Sequence, residues 1–280
     1  MMDQKVWFIT GASRGMGVEF THAALAAGHA VVATGRNPDA VTRAIGEADN
    51  LLAVKLDVTS LADAEAAADT AVERFGRIDI LVNNAGSFVA GFFEQLTPKQ
   101  IEQQLAVMLF GPMNVTRAVL PYMRRQRSGH ILSISSGAGL SGFAYNSAYC
   151  AAKFGLEGWM ESLAPEIAPF GIHTTIVNPG FYRTELLSPE STTFAELSIA
   201  DYAEQTKVQD EWWQAQHGHQ AGDPARLAQA LLSIVSQAQP PRRFIAGMDV
   251  ITVAEQKAAA LQQQAKTDRA IAMTLAHDAA

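Results

Sequence analysis

A strand-length apolar run that breaks into glycines sets the fold at the very start of this chain. Val6-Trp-Phe-Ile9 leads directly into Thr10-Gly11-Ala-Ser-Arg-Gly15-Met-Gly17, and a helical pattern follows. Glycines between a strand and a helix allow a tight turn. They also let the backbone approach a pyrophosphate resting on the helix N-terminus. The spacing Gly-x-x-x-Gly-x-Gly differs from the commoner G-x-G-x-x-G, and a merely structural turn is the lesser alternative for such a loop taken alone.

The rest of the chain repeats the strand–helix alternation, which is the pattern of a parallel sheet covered on both faces. Val6–Ile9, Ala30–Thr34, Leu51–Leu56, Ile78–Val82, His130–Ile134 and Ile172–Val177 read as six strands, with Arg243–Ala246 as a seventh. Ser60-Leu-Ala-Asp63 and Thr97-Pro-Lys-Gln100 read as helix starts of the capping-box type, and Asp223-Pro224 opens another helix. Gly28 and Gly76 are placed as helix C-terminal caps. The expected fold is a single-domain, doubly wound α/β structure with a seven-stranded parallel sheet.

Two segments depart from the rhythm. Leu186 to Gly222 shows no clear strand and carries Ser/Thr-rich and Trp212-Trp213 patches. Ligands in open α/β sheets bind beyond the strands' carboxyl ends, so residues 186–222 are expected to roof a site as a substrate lid. The alternative is a solvated excursion whose tryptophans cover the core. Beyond the main region, 1–250, residues 251–280 read as a C-terminal helical extension, Ala/Gln-rich and weakly amphipathic, suited to packing or subunit contact.

Bulk properties narrow the function classes. Apolar residues make up 48% of the 280 and charged residues 18%, which indicates a globular rather than a disordered chain. A net charge of −7 gives nucleic-acid binding no electrostatic support. No run reaches the ~18 apolar residues of a spanning helix, and Met1–Lys5 is too short for a signal peptide. Cys150 is the only cysteine, so no disulfide framework exists. A soluble, cytoplasmic protein with no membrane or nucleic-acid partner is expected. No metal site is expected either: His217-x-His219 lacks a partnered acid or cysteine, and exposure accounts for it.

The chemistry points to Tyr149-x-x-x-Lys153, thirteen residues after Ser136. Residues four apart share one face of a helix, so the ammonium is placed to stabilise a phenolate. A free tyrosine titrates near ~10, and neutral-pH work requires a shift of roughly 3 units, or about 4 kcal/mol. Ser133, Ser135 and Ser147 are rivals to Ser136, and the thirteen-residue offset favours Ser136. Cys150 beside Tyr149 has no activating neighbour in sequence and reads as a small packing residue.

Together these pieces resemble the short-chain dehydrogenase/reductase family. The likeness is carried by Thr10–Gly17, Asp57-Val58, Asn83-Asn84-Ala85-Gly86, Ser136, Tyr149-x-x-x-Lys153 and Asn178-Pro179-Gly180 with Thr184, in the family's order, over roughly residues 5 to 250. It implies a Rossmann-like domain that binds a nicotinamide dinucleotide and transfers hydride. Gly11, Ser13, Arg14, Gly15, Met16 and Gly17 would cradle that cofactor. Asp57 and Val58 would face its adenine, Asn84, Ala85 and Gly86 would line its cleft, and Pro179, Gly180 and Thr184 would lie near its nicotinamide. By the same resemblance, Ser136 polarises the substrate oxygen and Tyr149 is the general acid or base. Lys153 holds the ribose hydroxyls and lowers the Tyr149 pKa.

Charge suggests which dinucleotide. Members that use NAD tend to carry an acid at the end of the second strand, where this chain has Gly35 followed by Arg36. Arg36 and Arg14 can clamp a 2′-phosphate that an acid would repel; otherwise both are solvated surface charges. NADP(H) is therefore the expected cofactor. One departure stands out. The family's asparagine in the helix before the serine strand is replaced by Met108, and a thioether cannot donate a hydrogen bond in its place. Asn114 lies six residues on and faces another direction. The expected function is NADP(H)-dependent interconversion of an alcohol with a ketone or aldehyde. The alternative is a cofactor-binding sensor or scaffold without turnover. The substrate is expected to be apolar or aromatic, because Phe88, Phe92, Phe93, Phe143, Tyr145, Phe181 and Tyr182 border the site. A homodimer or homotetramer is the default assembly.

Overall fold

Apolar runs too short for helices pair side by side, and the computed structural model shows how. It describes residues 4–188 and 191–277; residues 189 and 190 of the expected lid, and the ends of the two expected regions at 1–3 and 278–280, lie outside it. Among the described residues the strands are β1 (Val6–Ile9), β2 (Ala30–Gly35), β3 (Leu51–Lys55), β4 (Ile80–Asn83), β5 (Phe88–Ala90), β6 (Gly129–Ile134), β7 (Ile172–Pro179), β8 (Thr192–Phe194) and β9 (Arg243–Ala246). The α-helices are α1 (Gly15–Ala26), α2 (Pro38–Ile45), α3 (Leu61–Phe75), α4 (Pro98–Leu105), α5 (Gly111–Gln126), α6 (Ser147–Ile167), α7 (Ala203–Gln216), α8 (Pro224–Val235) and α9 (Met248–Ala272).

Seven strands form one parallel sheet in the order β3-β2-β1-β4-β6-β7-β9. Strand order reverses between β1 and β4, which opens a crevice beyond their carboxyl ends. Both faces are covered, so β1 is apolar at every position. Val6 and Phe8 pack with Ala67 and Ala71 of α3, Val119 of α5 and Met160 of α6. Trp7 and Ile9 face the other layer, with Phe20 of α1 and Leu227 and Leu231 of α8. Four buried alanines on α3 let that helix lie close to its neighbours.

The α4–α5 rod is interrupted by a π-helical turn, Ala106–Phe110. Pro112 explains it: proline has no N–H to give the carbonyl four residues back, and its ring collides with that carbonyl. The carbonyl belongs to Met108, which therefore has no donor at the ordinary helical position.

Three local readings need correction. The segment from Leu186 to Gly222 does contain a strand, β8, paired in parallel with β5. Three residues are too few for periodicity to register; instead the Gln100 Nε2 donates to the Phe194 carbonyl at 2.9 Å and the Glu196 N–H to Gln100 Oε1 at 3.3 Å. Thr97 and Gln100 form a complete capping box. Ser60 and Asp63 form only half of one, because the Asp63 carboxylate accepts the Asp57 N–H instead of the Ser60 N–H. The last helix begins at Met248 rather than at 251.

Candidate active site

The crevice at the reversal point is built around one hydroxyl. Thr10 Oγ1 accepts the backbone N–H groups of Asn84 and Ala85 at 2.9 and 3.0 Å. Asn84 Nδ2 returns bonds to the Thr10 and Gly11 carbonyls at 2.9 and 3.1 Å. This pins the glycine turn after β1 to the loop after β4. Contact is so close that a Cβ on Gly11 would lie 2.7 Å from Ala85 Cα, and one on Gly17 would lie 2.3 Å from the Gly11 carbonyl oxygen. A side chain at either position would force the two loops apart. Gly15 faces Thr184 across the opening, and a Cβ there would lie 3.4 Å from that side chain.

At the adenine-side end, Ala12 N–H donates to the Thr34 carbonyl at 2.8 Å, and Gly35 approaches Ser13. Arg14 and Arg36, the residues next in sequence to Ser13 and Gly35, are both exposed. Asp57 is fixed differently: its Oδ1 accepts from the Thr59 N–H and hydroxyl. The neighbouring Val58 is buried, and its carbonyl accepts from Asn114 Nδ2 at 3.1 Å. Asn114 is therefore committed to the loop after β3, on a different face from Met108.

Ser136 sits at the end of β6, where its Oγ accepts the Ala138 N–H at 3.1 Å. That leaves the hydroxyl hydrogen available, and the Ser136 side chain lines the same cavity as Tyr149, where it counters the upward shift of the phenol. Lys153 lies one turn along α6, 4% exposed, with Nζ 5.6 Å from the centre of the Tyr149 ring. Its amine donates to the Ile134 carbonyl at 2.7 Å. Burial pulls the Lys153 pKa down to about 7, opposed by the negative charge of Glu157. Burial also pushes Tyr149 up to about 12, opposed by the Ser136 side chain. Among the chain's own groups desolvation dominates, with the amine directed at a backbone carbonyl; the expected lowering of the phenol calls on Lys153 and a cationic cofactor together.

Ser136 and Tyr149 open onto a cavity of about 540 Å³ that also reaches Met16, Pro179, Gly180 and Thr184. Its outer walls are apolar: Phe88 from β5, Phe143 and Phe181 from loops, Trp212 and Trp213 from α7, and Val250 and Val253 from α9. Rings run in contact from the tyrosine outward, Tyr149 to Phe88 at 5.3 Å and Phe88 to Trp213 at 4.9 Å between centroids. Tyr182 also lines the cavity, but Phe92, Phe93 and Tyr145 do not. Phe93 is 68% exposed. Tyr145 adopts a left-handed backbone, φ 69°, and its hydroxyl donates to Asp210 of α7, while Phe92 meets Tyr145 edge-on and stacks on Tyr202. Sequence reading also missed Asp249, whose carboxylate accepts the Phe181 N–H at 3.1 Å beside Gly180. Its place in the first turn of an unexpectedly early helix was the available signal.

A family model described as short chain dehydrogenase matches residues 5–194. The chain belongs to the short-chain dehydrogenase/reductase family. The relative "Oxidoreductase BOA17" of Botryotinia fuckeliana is 33% identical over 264 residues, 92% of this chain and 94% of the relative. A 3-ketodihydrosphingosine reductase of Bacteroides thetaiotaomicron is 33% identical over 251 residues, 88% and 89% of the two chains. Among solved structures, a short-chain dehydrogenase from Streptomyces avermitilis superposes with a TM-score of 0.88 at 35% identity, covering 97% of this chain and 100% of that one. Two more distant members hold nucleotides, each at 25% identity. A 3-ketoacyl-(acyl-carrier-protein) reductase from Brucella melitensis is complexed with NADH (TM-score 0.73; 88% and 97% covered), and a metagenomic oxidoreductase with NADP (0.67; 87% and 98%).

Within this short-chain dehydrogenase/reductase, Met108 is buried against the loop after β4. Its sulfur accepts the Ser87 N–H at 3.3 Å, and a Cβ on Gly86 would lie 3.0 Å from it. Met108 therefore supports the Asn84–Gly86 loop through an acceptor contact. Among the described residues no group of three or more His, Cys, Asp or Glu is placed to hold a metal, and no helix is long and apolar enough to cross a membrane.

The buried amine has a consequence for stability. Lys153 titrates near 7 when folded and near 10.5 as an ordinary lysine, so between those values the unfolded chain binds the extra proton and stability rises with pH. Lys153→Met removes this dependence. Its melting temperature relative to the parent should be most favourable below pH 7, with the difference shrinking steadily toward pH 10. A difference constant with pH would mean that the amine is not depressed.

Proposed function

We propose that the protein is an NADP(H)-dependent oxidoreductase that interconverts an alcohol with a ketone or aldehyde. One observation carries the reading: Ser136 and Tyr149 share the wall of an apolar cavity, with Lys153 one helical turn behind, at the mouth of the glycine cradle. The cradle fits a dinucleotide, since Cβ atoms at Gly11 and Gly17 would fill the space in which its two loops meet. We assign Gly11, Ser13, Arg14, Gly15, Met16 and Gly17 to the pyrophosphate side, and Asp57, Val58, Asn84, Ala85 and Gly86 to the adenosine side. Pro179, Gly180, Thr184, Tyr149 and Lys153 lie on the nicotinamide side. Arg36 and Arg14, both exposed, suit a 2′-phosphate.

When bound, the nicotinamide supplies or accepts the hydride. Ser136, whose oxygen already accepts from Ala138, directs its hydroxyl hydrogen to the substrate oxygen. Tyr149 donates a proton to that oxygen as charge develops, or removes one in the reverse direction. The chain's own groups hold the phenol protonated through neutral pH, which favours reduction there and oxidation at alkaline pH. Lys153 holds ribose hydroxyls. Met108 leaves its backbone carbonyl without the donor that Pro112 cannot supply, so a water-borne proton path can end on that carbonyl instead of on a side chain. The competing reading, a protein that holds the cofactor without turnover, draws on the same Met108, since its thioether cannot donate.

Residues 186–222 act as the lid: β8 ties the segment to β5, and Trp212 and Trp213 of α7 close over the cavity. A bulky apolar ketone or alcohol suits those walls, and the likeness to a 3-ketodihydrosphingosine reductase supports that class. The single cysteine, Cys150, is free and buried, as suits the cytoplasm. Exposed Phe110 and Phe154 suit pairing of long helices in a homodimer or homotetramer.

Purified protein should oxidise NADPH with bulky ketones or aldehydes, and Tyr149→Phe should abolish that turnover while keeping cofactor affinity. NADPH binding without oxidation across the panel would favour the non-catalytic reading. For the cofactor itself, Arg36→Asp should weaken NADPH at least tenfold more than NADH. Equal losses would remove Arg36 from the 2′-phosphate.

A further inference from the structure

We infer that Glu157 and Arg243, which touch neither the cavity nor each other in sequence, are positioning residues that set the charge of Lys153 and the placement of Ser136. This rests on the proposed role of those two residues. Glu157 lies one helical turn beyond Lys153 on α6 and is 6% exposed. Its Oε1 accepts from the Ser135 hydroxyl and, at 2.6 Å, from Asn178 Nδ2; its Oε2 accepts from Arg243 Nη1 of β9. Arg243 Nη1 also donates to Asn178 Oδ1 at 3.1 Å, and Nη2 donates to Glu161 at 2.7 Å. Asn178, fully buried at the end of β7, closes the network by donating to the Ser136 carbonyl at 3.0 Å.

The carboxylate has a built place. A Cβ on Gly139 would lie 2.6 Å from the Ser135 hydroxyl and 2.8 Å from Glu157 Oε1, so the residue three beyond Ser136 must be glycine to admit them. The groups facing Lys153 are the Tyr149 phenol and Glu157 carboxylate on its own helix, with the Cys150 thiol beside Tyr149, and the Ile134 carbonyl of β6. Those facing Glu157 are Ser135, Asn178 and Arg243, with Glu161 on the far side of the guanidinium. Glu157 is thus the negative charge that favours a protonated Lys153, and Arg243 moderates it. Removing either charge must move the lysine in opposite directions, which mere loss of packing cannot do.

Protein carrying ¹³C-labelled lysine, with the Lys153 signal identified by its loss in Lys153→Arg, allows the amine to be titrated directly. Glu157→Gln should lower the Lys153 midpoint by about one pH unit. Arg243→Gln should raise it, and Arg243→Lys should leave it near the parent value. The limb of the pH–rate profile governed by Lys153 should move the same way. Shifts of the same sign in Glu157→Gln and Arg243→Gln, or none in either, would overturn the inference. If Glu157→Gln does not fold, the contrast between Arg243→Gln and Arg243→Lys decides alone. The titration needs no turnover, so it stands even if the protein proves inactive toward carbonyls.

Discussion

A lysine amine buried at the end of a parallel sheet is costly, and much of its surroundings answers that cost. Desolvation alone would neutralise the amine. The Ile134 carbonyl accepts from it, and the carboxylate one turn away supplies a compensating charge. The carboxylate is itself buried, so it requires Ser135, Asn178 and Arg243. A charge on one helix thereby ties the segment after β6 and the carboxyl end of β7 to the first residue of β9. The segment after β6 also holds Ser136, whose carbonyl is tied into this network and whose hydroxyl faces Tyr149.

The sheet makes such convergence possible. Parallel strands bring all their carboxyl ends to one side, and the order reversal between β1 and β4 leaves a gap between adjacent loops there. On one flank of the gap the Thr10 hydroxyl fastens two loops into a cradle of backbone groups. On the other, aromatic rings from β5, the Phe181 loop and α7 form a dry wall. The site is polar where bonds to hydrogen change and apolar where a substrate body would rest.

Much of this was legible in sequence because it depends on local pattern. The seven sheet strands centre on short apolar runs, and Gly11 and Gly17 mark positions where a Cβ does not fit. Tyr149 and Lys153 at four-residue spacing do share a helix face. What spacing could not reveal is where the amine points; its turn toward Ile134 leaves burial to raise the phenol instead of lowering it. The pairing of β5 with β8 was hidden because three residues carry no period, and Glu157 with Arg243 because 86 positions separate them. Tyr145 lay among the border aromatics in sequence, yet its left-handed backbone sends the ring to Asp210 and away from the cavity.

The central claim is that this cavity carries hydride from a nicotinamide to a carbonyl carbon. NADPH deuterated at the transferable C4 position, incubated with a bulky ketone and the protein, tests it by mass spectrometry of the product. The account predicts one deuterium on the carbinol carbon for each turnover by the native protein. Alcohol formed without that deuterium, or none formed from any ketone while NADPH binds, would contradict it.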